Sequence, residues 1–326
     1  MNNIKRRKKT VSIWLGITLF ILSVLVGGAT KVMMKPSWQS NYSVKWSEDL
    51  GTKIVDLKYG ENESNKYDLY LPKDNSRKSY GLVIYLHAGG FTTGDKKDDE
   101  DMLSWLTKKG YVAAGINYTL RTASNNSSLK LQSDEIKQAI PKVIEEAKRR
   151  GYDINKMTVA GGSAGHALAM IYTYRDGKDA PVPVVLTFGA VGPASFVRED
   201  WGIFGLDKDT EESINATAGL FGLMAGEKIS IDEIKDGSYL EKMKPISAAD
   251  WVSNNPVPAV VAYGTHDKMQ PYLASLRLKK ALEDNQVDYK FYEMPHSGHG
   301  LQNDSDISKQ WMESIDEYLD KYMPVK

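Results

Sequence analysis

Short hydrophobic runs separated by polar segments recur along the chain and predict a sheet of buried strands. Five of these runs are almost continuously apolar: residues 81–87, 111–118, 157–161, 183–189 and 259–264. Such runs are typical of strands that are buried on both faces of a parallel sheet. Two earlier segments, 52–60 and 66–72, instead alternate apolar and polar residues, which predicts half-buried antiparallel strands.

Helical periodicity fills the intervals between the predicted strands. Residues 133–151 place apolar side chains on one helical face, with Ser133 as a candidate N-cap and Pro141 as a candidate kink. Residues 275–285 and 305–323 show the same periodicity. Strands that alternate with helices in this way predict an α/β fold, in which a mostly parallel central sheet is flanked by helices.

One stretch interrupts this alternation. Residues 194–244 carry several short helical patterns and are too long for an ordinary connection. We expect a small helical cap or lid here, and the alternative is a set of plain helices on the flank of the sheet. Four apolar side chains of the stretch are candidates for lining a pocket or for forming core: Phe196, Phe204, Phe221 and Met224.

The amino terminus has a different pattern from the rest of the chain. A basic cluster at residues 5–9 precedes an uncharged apolar run at residues 10–30. An apolar run of about twenty residues can span a bilayer as a helix, and the preceding basic residues favour a cytoplasmic amino terminus. We therefore expect residues 1–35 to form a basic tail, a transmembrane signal-anchor and the start of a short tether that extends to residue 49. The alternative is a signal peptide cleaved near Ala29, and either interpretation places a folded domain at residues 36–326 outside the cytoplasm.

Composition narrows the possible classes of protein. The 326 residues have a formal net charge of zero, and no basic cluster follows the amino-terminal one, so the sequence gives no sign of nucleic-acid binding. The chain contains no cysteine, so disulfides do not stabilise it. A domain of this length buries enough apolar surface to fold without them.

The first chemical motif lies directly after the predicted strand 157–161. The segment "GGSAG" places Ser163 between glycines and before a helical run. This pattern is typical of a strand-to-helix turn that exposes the serine hydroxyl, although an ordinary tight turn has a similar composition. A serine nucleophile requires an adjacent base that is oriented by a third group.

Candidates for those groups follow other predicted strands. Asp267 comes directly after the strand 259–264, and His296 and His299 follow a candidate last strand at residues 289–294. The carboxyl ends of parallel strands meet at one edge of a sheet, so these side chains are expected to lie close to Ser163.

Donors for a developing oxyanion can be placed in the same way. Gly89 and Gly90 follow the strand 81–87, where backbone N–H groups can be left free to donate. Ala164, directly after the serine, can supply a third N–H group.

The motifs "HAGGF", "GGSAG", "GTHD" and "SGHG", in this order and at these spacings, resemble those of the α/β-hydrolase superfamily. Within it the chain is most similar to esterases related to hormone-sensitive lipase and to small bacterial acetyl- or feruloyl-type carboxylesterases. The resemblance covers about residues 55–322. It implies an α/β-hydrolase fold and hydrolysis of carboxylic esters, with Ser163 as nucleophile, Asp267 as acid and His299 as base. It also implies that His87 supports the oxyanion loop.

The chain departs from the family pattern at two positions. Ala88 stands where the family's His-Gly-Gly-Gly loop has its first glycine, and we expect the oxyanion hole to be retained because Gly89 and Gly90 are present. His166 stands where many relatives have glycine, and we expect an exposed or hydrogen-bonded helical histidine; the alternative is a histidine that approaches the pocket. The pair His296 and His299 is also a candidate metal site, but it lacks a helix and an evident third ligand, so we expect neither a metal nor a cofactor.

The expected substrate is a small-molecule or glycan-linked ester with a short to medium acyl group. A deacetylase of cell-surface polysaccharide and a peptidase on the same fold are the alternative enzymes. A binding module without catalytic activity is the alternative outside the enzymes. The expected partners are thus the substrate and a membrane, with no nucleic acid, and the sequence makes no prediction of oligomeric state.

Overall fold

The computed structural model describes residues 36–325, so the predicted basic tail and transmembrane segment lie outside the described residues. The chain divides into two units, Met1–Asn41 and Tyr42–Lys326. In the first unit, the described part is a short 3₁₀ helix, Ser37–Asn41. Among residues 36–325 no helix is both long and apolar enough to cross a membrane.

The second unit is built on one eight-stranded sheet. Its strands are β1 (Gly51–Lys58), β2 (Lys66–Pro72), β3 (Tyr80–Leu86), β4 (Val112–Ile116), β5 (Ile154–Gly162), β6 (Val184–Ala190), β7 (Ala259–Gly264) and β8 (Tyr289–Met294). Their order is β1-β2-β4-β3-β5-β6-β7-β8. The pairs β1–β2 and β2–β4 are antiparallel, and every other neighbouring pair is parallel. The predicted mostly parallel sheet is confirmed.

Eight α-helices connect and cover these strands in the described part of the second unit. They are α1 (Glu100–Lys108), α2 (Leu129–Arg149), α3 (Ala164–Ile171), α4 (Glu211–Ala225), α5 (Ile231–Asp236), α6 (Tyr239–Met243), α7 (Tyr272–Asp284) and α8 (Ser305–Tyr322). The central strands β3 to β7 bury almost all of their side chains, as their apolar sequences predict.

The prediction that β2 is half-buried is wrong. All its residues after Lys66 are buried, because it lies between β1 and β4 and packs against both α1 and α2. The charge of its polar residue, Asp68, has partners inside the fold. The Asp68 carboxylate lies 3.1 Å from the ammonium group of the buried Lys96 and accepts the N–H of Asp56 at 2.8 Å. The ion pair with Lys96 therefore makes the burial of this carboxylate possible.

The predicted cap of α2 is also wrong. Ser128 caps the helix by accepting the N–H of Leu131 at 3.1 Å, whereas Ser133 lies inside the helix. The hydroxyl of Ser133 donates to the Lys130 carbonyl at 2.7 Å. The helix continues without interruption through Pro141.

The stretch 194–244 folds into helices around its own aromatic core. The rings of Phe196, Trp201, Phe221 and Tyr239 contact one another in pairs, with centroids 5.3–5.8 Å apart. Phe196 and Phe221 are fully buried, so they form core and do not line a pocket. Phe204 is exposed, and Met224 is half-buried. The role of this stretch as a lid stays a prediction.

The predicted tether is shorter than the sequence suggests. Residues 42–46 already pack on the folded unit, where Trp46 makes an edge contact with the ring of Tyr70. The ammonium group of Lys45 lies 2.9 Å from the Asp101 carboxylate. Exposed ion pairs of this kind contribute at most about 1 kcal/mol, so the aromatic contact is the better anchor.

Asp99, at the start of α1, makes the stability of the protein depend on pH. Burial, together with the neighbouring Asp98 carboxylate, raises the pKa of Asp99 to about 7, and its Oδ2 has no partner in residues 36–325. Because the native state binds this proton more tightly than the unfolded state, the stabilisation is complete below about pH 4 and is lost as the pH rises through 7.

Asp99→Asn keeps a neutral side chain at every pH. We expect it to raise the free energy of unfolding by about 2–4 kcal/mol at pH 8 and to change it much less at pH 4. Urea denaturation at both pH values measures this difference. Asp153→Asn, at an exposed position, is the control and should show no such pH dependence. The same change in stability for Asp99→Asn at both pH values would contradict the expectation.

Candidate active site

Ser163 occupies a strained turn between β5 and α3. Its backbone has φ 50° and ψ −117°, a conformation that L-residues rarely adopt. The Ser163 N–H donates to the Ala190 carbonyl at 2.8 Å. A β-carbon on Gly165 would lie 1.9 Å from the Leu86 carbonyl oxygen, so only glycine lets α3 pass this close to β3. The motif "GGSAG" thus forms the predicted strand-to-helix turn, in which Ser163 is partly exposed.

The three residues predicted for a catalytic triad lie in one hydrogen-bonded row. Ser163 Oγ lies 2.8 Å from His299 Nε2, and His299 Nδ1 lies 2.7 Å from Asp267 Oδ2. A carboxylate can only accept, so Nδ1 carries a proton and Nε2 is left to accept from the serine hydroxyl. Three loops after β5, β7 and β8 therefore meet at the carboxyl edge of the sheet.

The Asp267 carboxylate is buried and held on both oxygens. Its Oδ1 accepts the N–H groups of Met269 at 2.7 Å and Gln270 at 3.0 Å, which leaves Oδ2 directed to the histidine. The two loops that carry the acid and the base are also joined, since the His266 N–H donates to the Ser297 carbonyl at 3.0 Å. Backbone hydrogen bonds thus fix the carboxylate that orients the imidazole of His299.

The predicted oxyanion loop lies beside the serine turn. Gly89 and Gly90 have φ values of 131° and 58°, which suit glycine. The loop is closed by the Thr93 N–H, which donates to the Gly89 carbonyl at 2.9 Å. Ala164 is the first residue of α3, where a backbone N–H has no acceptor within the helix. Three candidate donors thus border the site.

His87 fixes the oxyanion loop through a hydrogen bond of its ring. Its Nδ1–H donates to the Ala88 carbonyl at 2.7 Å. The Tyr118 hydroxyl donates to the His87 carbonyl at 2.9 Å, and the two rings stack with centroids 4.3 Å apart. Burial lowers the pKa of His87 below its usual range, so the ring stays neutral. The sequence analysis did not identify Tyr118 as a site residue, because no pattern in the residues around it indicates a contact with His87.

His296, the other histidine of the loop after β8, has a different partner. His296 Nδ1 lies 2.8 Å from Asp304 Oδ1, and the Ser297 hydroxyl donates to Asp304 Oδ2 at 2.6 Å. Asp304 is buried and fixes the loop that carries His299. Sequence reasoning missed this residue. Within residues 36–325, no group of three or more histidine and acidic side chains could hold a metal ion.

His166 is fully buried in α3, so the expectation of exposure is wrong and the hydrogen-bonded alternative is found. Its Nδ1 accepts the N–H of Gly192 at 3.1 Å. The ring therefore hydrogen-bonds to the segment that directly follows β6.

The two glycines of the oxyanion loop offer a matched pair of variants. A β-carbon on Gly89 would lie 1.9 Å from the Thr93 carbonyl oxygen, whereas one on Gly90 would meet no atom within 4 Å. We expect Gly89→Ala to displace its N–H and lower kcat by about 10²–10³-fold, the typical effect of losing one oxyanion donor. Gly90→Ala is expected to lower kcat by at most about tenfold. Steady-state kinetics of ester hydrolysis measure kcat for both variants. Equal losses of kcat would contradict the expectation that a side chain at Gly89 displaces the loop and one at Gly90 does not.

Curated proteins with similar sequences match only part of this chain. The kynurenine formamidase of Danio rerio is 31% identical over 120 residues, which cover 36% of this chain and 38% of that protein. The ethyl acetate hydrolase of Pseudomonas putida is 28% identical over 102 residues, which cover 31% of each protein. The chain thus spans less than two fifths of the length of the curated relatives it matches.

The fold and the family are shown by longer matches. The solved structure of an inhibited esterase B from Lactobacillus rhamnosis has a TM-score of 0.62 at 18% identity and covers 91% of this chain and 95% of that chain. At this identity the likeness shows a shared fold. A family model described as BD-FAE matches residues 67–282, more than half of the chain. The chain therefore belongs to the BD-FAE family, a family of α/β-hydrolase esterases.

Proposed function

We propose that this protein hydrolyses carboxylic esters with short to medium acyl groups through a covalent acyl-enzyme. The observation that carries the proposal is the hydrogen-bonded row from Ser163 Oγ through His299 to the buried Asp267 carboxylate. The row begins in a strained turn that holds the serine at the edge of the sheet. The partial likeness to an ethyl acetate hydrolase supports an ester substrate.

The residues of the site share the steps of the proposed reaction. Ser163 Oγ attacks the ester carbonyl carbon while its proton moves to His299 Nε2, and Asp267 stabilises the imidazolium that forms. The oxygen of the tetrahedral intermediate accepts hydrogen bonds from the N–H groups of Gly89, Gly90 and Ala164. The intermediate collapses, the alcohol leaves with the proton from His299, and a water activated by the same histidine hydrolyses the acyl-enzyme.

A panel of substrates tests this proposal on the full-length protein. Turnover of p-nitrophenyl esters from acetyl to decanoyl is expected, with an optimum at short to medium chains. An acetylated polysaccharide, a peptide amide and an N-formyl amide complete the panel, because a formamidase is among the partial relatives. Turnover of the peptide amide or the N-formyl amide without hydrolysis of any ester would replace the proposed function, and turnover of the acetylated polysaccharide alone would restrict it to glycan-linked acetyl groups. Folded protein without turnover and without labelling by a fluorophosphonate would indicate a binding module.

We also propose that the folded unit is tethered outside the cytoplasm by the amino-terminal segment. The basic cluster at residues 5–9 and the uncharged run at residues 10–30 support an uncleaved anchor. Membrane fractionation and protease treatment of intact cells test this. The full-length chain is expected in the membrane fraction, with its folded unit accessible to protease. A soluble secreted form beginning near residue 30 would favour a cleaved signal peptide.

A further inference from the structure

His166 lies one helical turn after Ser163 but belongs to a different network. It is fully buried, and burial lowers its pKa to about 3, an effect that the nearby Ala190 carbonyl opposes. The ring is therefore neutral at ordinary pH, and its Nδ1 lone pair accepts the Gly192 N–H at 3.1 Å. Its Nε2 is buried without a hydrogen-bond partner in residues 36–325, so the hydrogen bond that joins the ring to the segment after β6 is the one that Nδ1 accepts.

The segment that His166 holds is strained. Val191 has φ 52°, which is rare for a β-branched residue. Its N–H donates to the Ala262 carbonyl at 2.9 Å. On the next residue, the Gly192 carbonyl accepts from the Tyr263 hydroxyl at 3.0 Å. Strained conformations persist only where the surrounding contacts fix them, and they cluster at active sites.

The strained segment ends at the nucleophile turn. The Ala190 carbonyl, one residue before Val191, accepts the Ser163 N–H at 2.8 Å. Two residues in rare conformations, Ser163 and Val191, are thus linked through a single carbonyl group. A shift of the segment 190–192 would move the acceptor that fixes the serine backbone.

The end of β6 is shaped around the histidine ring. A β-carbon on Gly189 would lie 2.5 Å from the ring of His166, and one on Gly192 would lie 2.8 Å from its Cβ. Gly189, in β6, therefore lacks a side chain that would displace the ring, and Gly192, just after β6, lacks one that would clash with the helix at His166. This close approach holds Nδ1 at a fixed place relative to the Gly192 N–H.

We propose that His166 is a positioning residue, which, together with Tyr263, fixes the strained backbone of Ser163 through Gly192 and Ala190. The proposal rests on the function proposed above, since the effect is exerted on the nucleophile of that reaction. His166 does not touch the reacting atoms. It acts by holding the serine hydroxyl where the base and the oxyanion donors can use it.

Three variants separate positioning from simple packing. His166→Leu fills most of the space but removes the acceptor, whereas His166→Asn keeps an acceptor near the position of Nδ1. Tyr263→Phe removes the hydroxyl that donates to the Gly192 carbonyl. For each full-length variant, kcat and KM are measured on the ester that the wild type hydrolyses best. The rate of labelling by a fluorophosphonate and the melting temperature are measured in parallel.

We expect His166→Leu to lower kcat and the labelling rate by about 10–100-fold, since a misplacement of about 1 Å can cost 10²-fold. KM should stay within about threefold. His166→Asn should keep kcat within about threefold of the wild type, and Tyr263→Phe should lower kcat by about tenfold. A purely structural role would instead lower the melting temperature of His166→Leu without changing kcat per labelled serine.

The proposal is overturned if folded His166→Leu keeps kcat within threefold of the wild type, or if His166→Asn loses as much as His166→Leu. If His166→Leu does not fold, Tyr263→Phe decides: a tenfold loss of kcat with unchanged KM supports the proposal, and wild-type kcat overturns it. Failure of the proposed function itself looks different, because the wild type would then neither hydrolyse any ester nor react with the fluorophosphonate.

Discussion

Ser163→Ala is expected to lower kcat for ester hydrolysis by on the order of 10⁶-fold and to leave the fold intact. The change removes Oγ, the atom proposed to form the acyl-enzyme, which lies 2.8 Å from His299 Nε2. Ser163 is only partly buried, and its side chain does not cap α3. The loss of the hydroxyl should therefore cost little stability. Steady-state kinetics together with thermal denaturation measure the two effects separately.

A variant of the proposed base, His299, is an internal control for the same experiment. His299→Ala is expected to lower kcat by a similar factor, and the double variant should lose little more than either single variant. Non-additivity of this kind is the signature of residues that act as one unit. Multiplied losses in the double variant, or appreciable turnover in Ser163→Ala, would show that the two side chains do not share a reaction step.

Asp267→Asn is expected to lower kcat by about 10⁴-fold. An amide group can present a donor to His299 Nδ1, which favours the tautomer with its proton on Nε2 and removes the acceptor for the serine proton. The Oδ1 position can still accept the N–H groups of Met269 and Gln270, so the loop should keep its conformation. Kinetics on the best ester, with KM determined separately, measure this effect.

The chain offers a matched control in its second histidine–aspartate pair. Asp304 lies 2.8 Å from His296 and is also buried, and its hydrogen bonds to His296 and Ser297 fix the loop that carries His299. Asp304→Asn should lower kcat by no more than about tenfold, because the bonds from His299 to Ser163 and Asp267 are left unchanged. Equal losses in Asp304→Asn and Asp267→Asn would contradict the assignment of Asp267 as the acid.

The arrangement of the sheet and the site followed from short-range sequence patterns. The predicted site residues lie at the carboxyl ends of runs of apolar residues or within a few residues of them, and parallel strands bring these ends to one edge. This is why the sequence predicts that residues as distant along the chain as Ser163 and His299 lie together. The predicted last strand, residues 289–294, has the same limits as β8, Tyr289–Met294.

The errors arose where tertiary contacts decide between equivalent local patterns. The sequence predicts Ser133 as the cap of α2, but the Arg175 guanidinium donates to its hydroxyl at 3.1 Å inside the fold, and Ser128 caps the helix instead. The alternation of β2 suggested a solvated face, but its polar residue Asp68 pairs with Lys96, which lies far along the chain. Periodicity carries no information about such partners.

Local sequence patterns likewise did not predict the contacts that support the site. His166 bonds to Gly192 and Tyr118 stacks on His87, and each pair is separated by more than twenty residues. The aromatic residues of the stretch 194–244 likewise fit a pocket or a core by composition alone. Only their mutual ring contacts show that Phe196 and Phe221 form core.

The most direct test of the proposed mechanism is to react the full-length protein with a fluorophosphonate and to locate the adduct by mass spectrometry of its peptides. The mechanism predicts one phosphonylated residue, Ser163, with ester hydrolysis lost in proportion to labelling and no labelling of Ser163→Ala. An adduct on another residue with Ser163 unmodified would contradict it, as would undiminished ester hydrolysis by fully labelled protein.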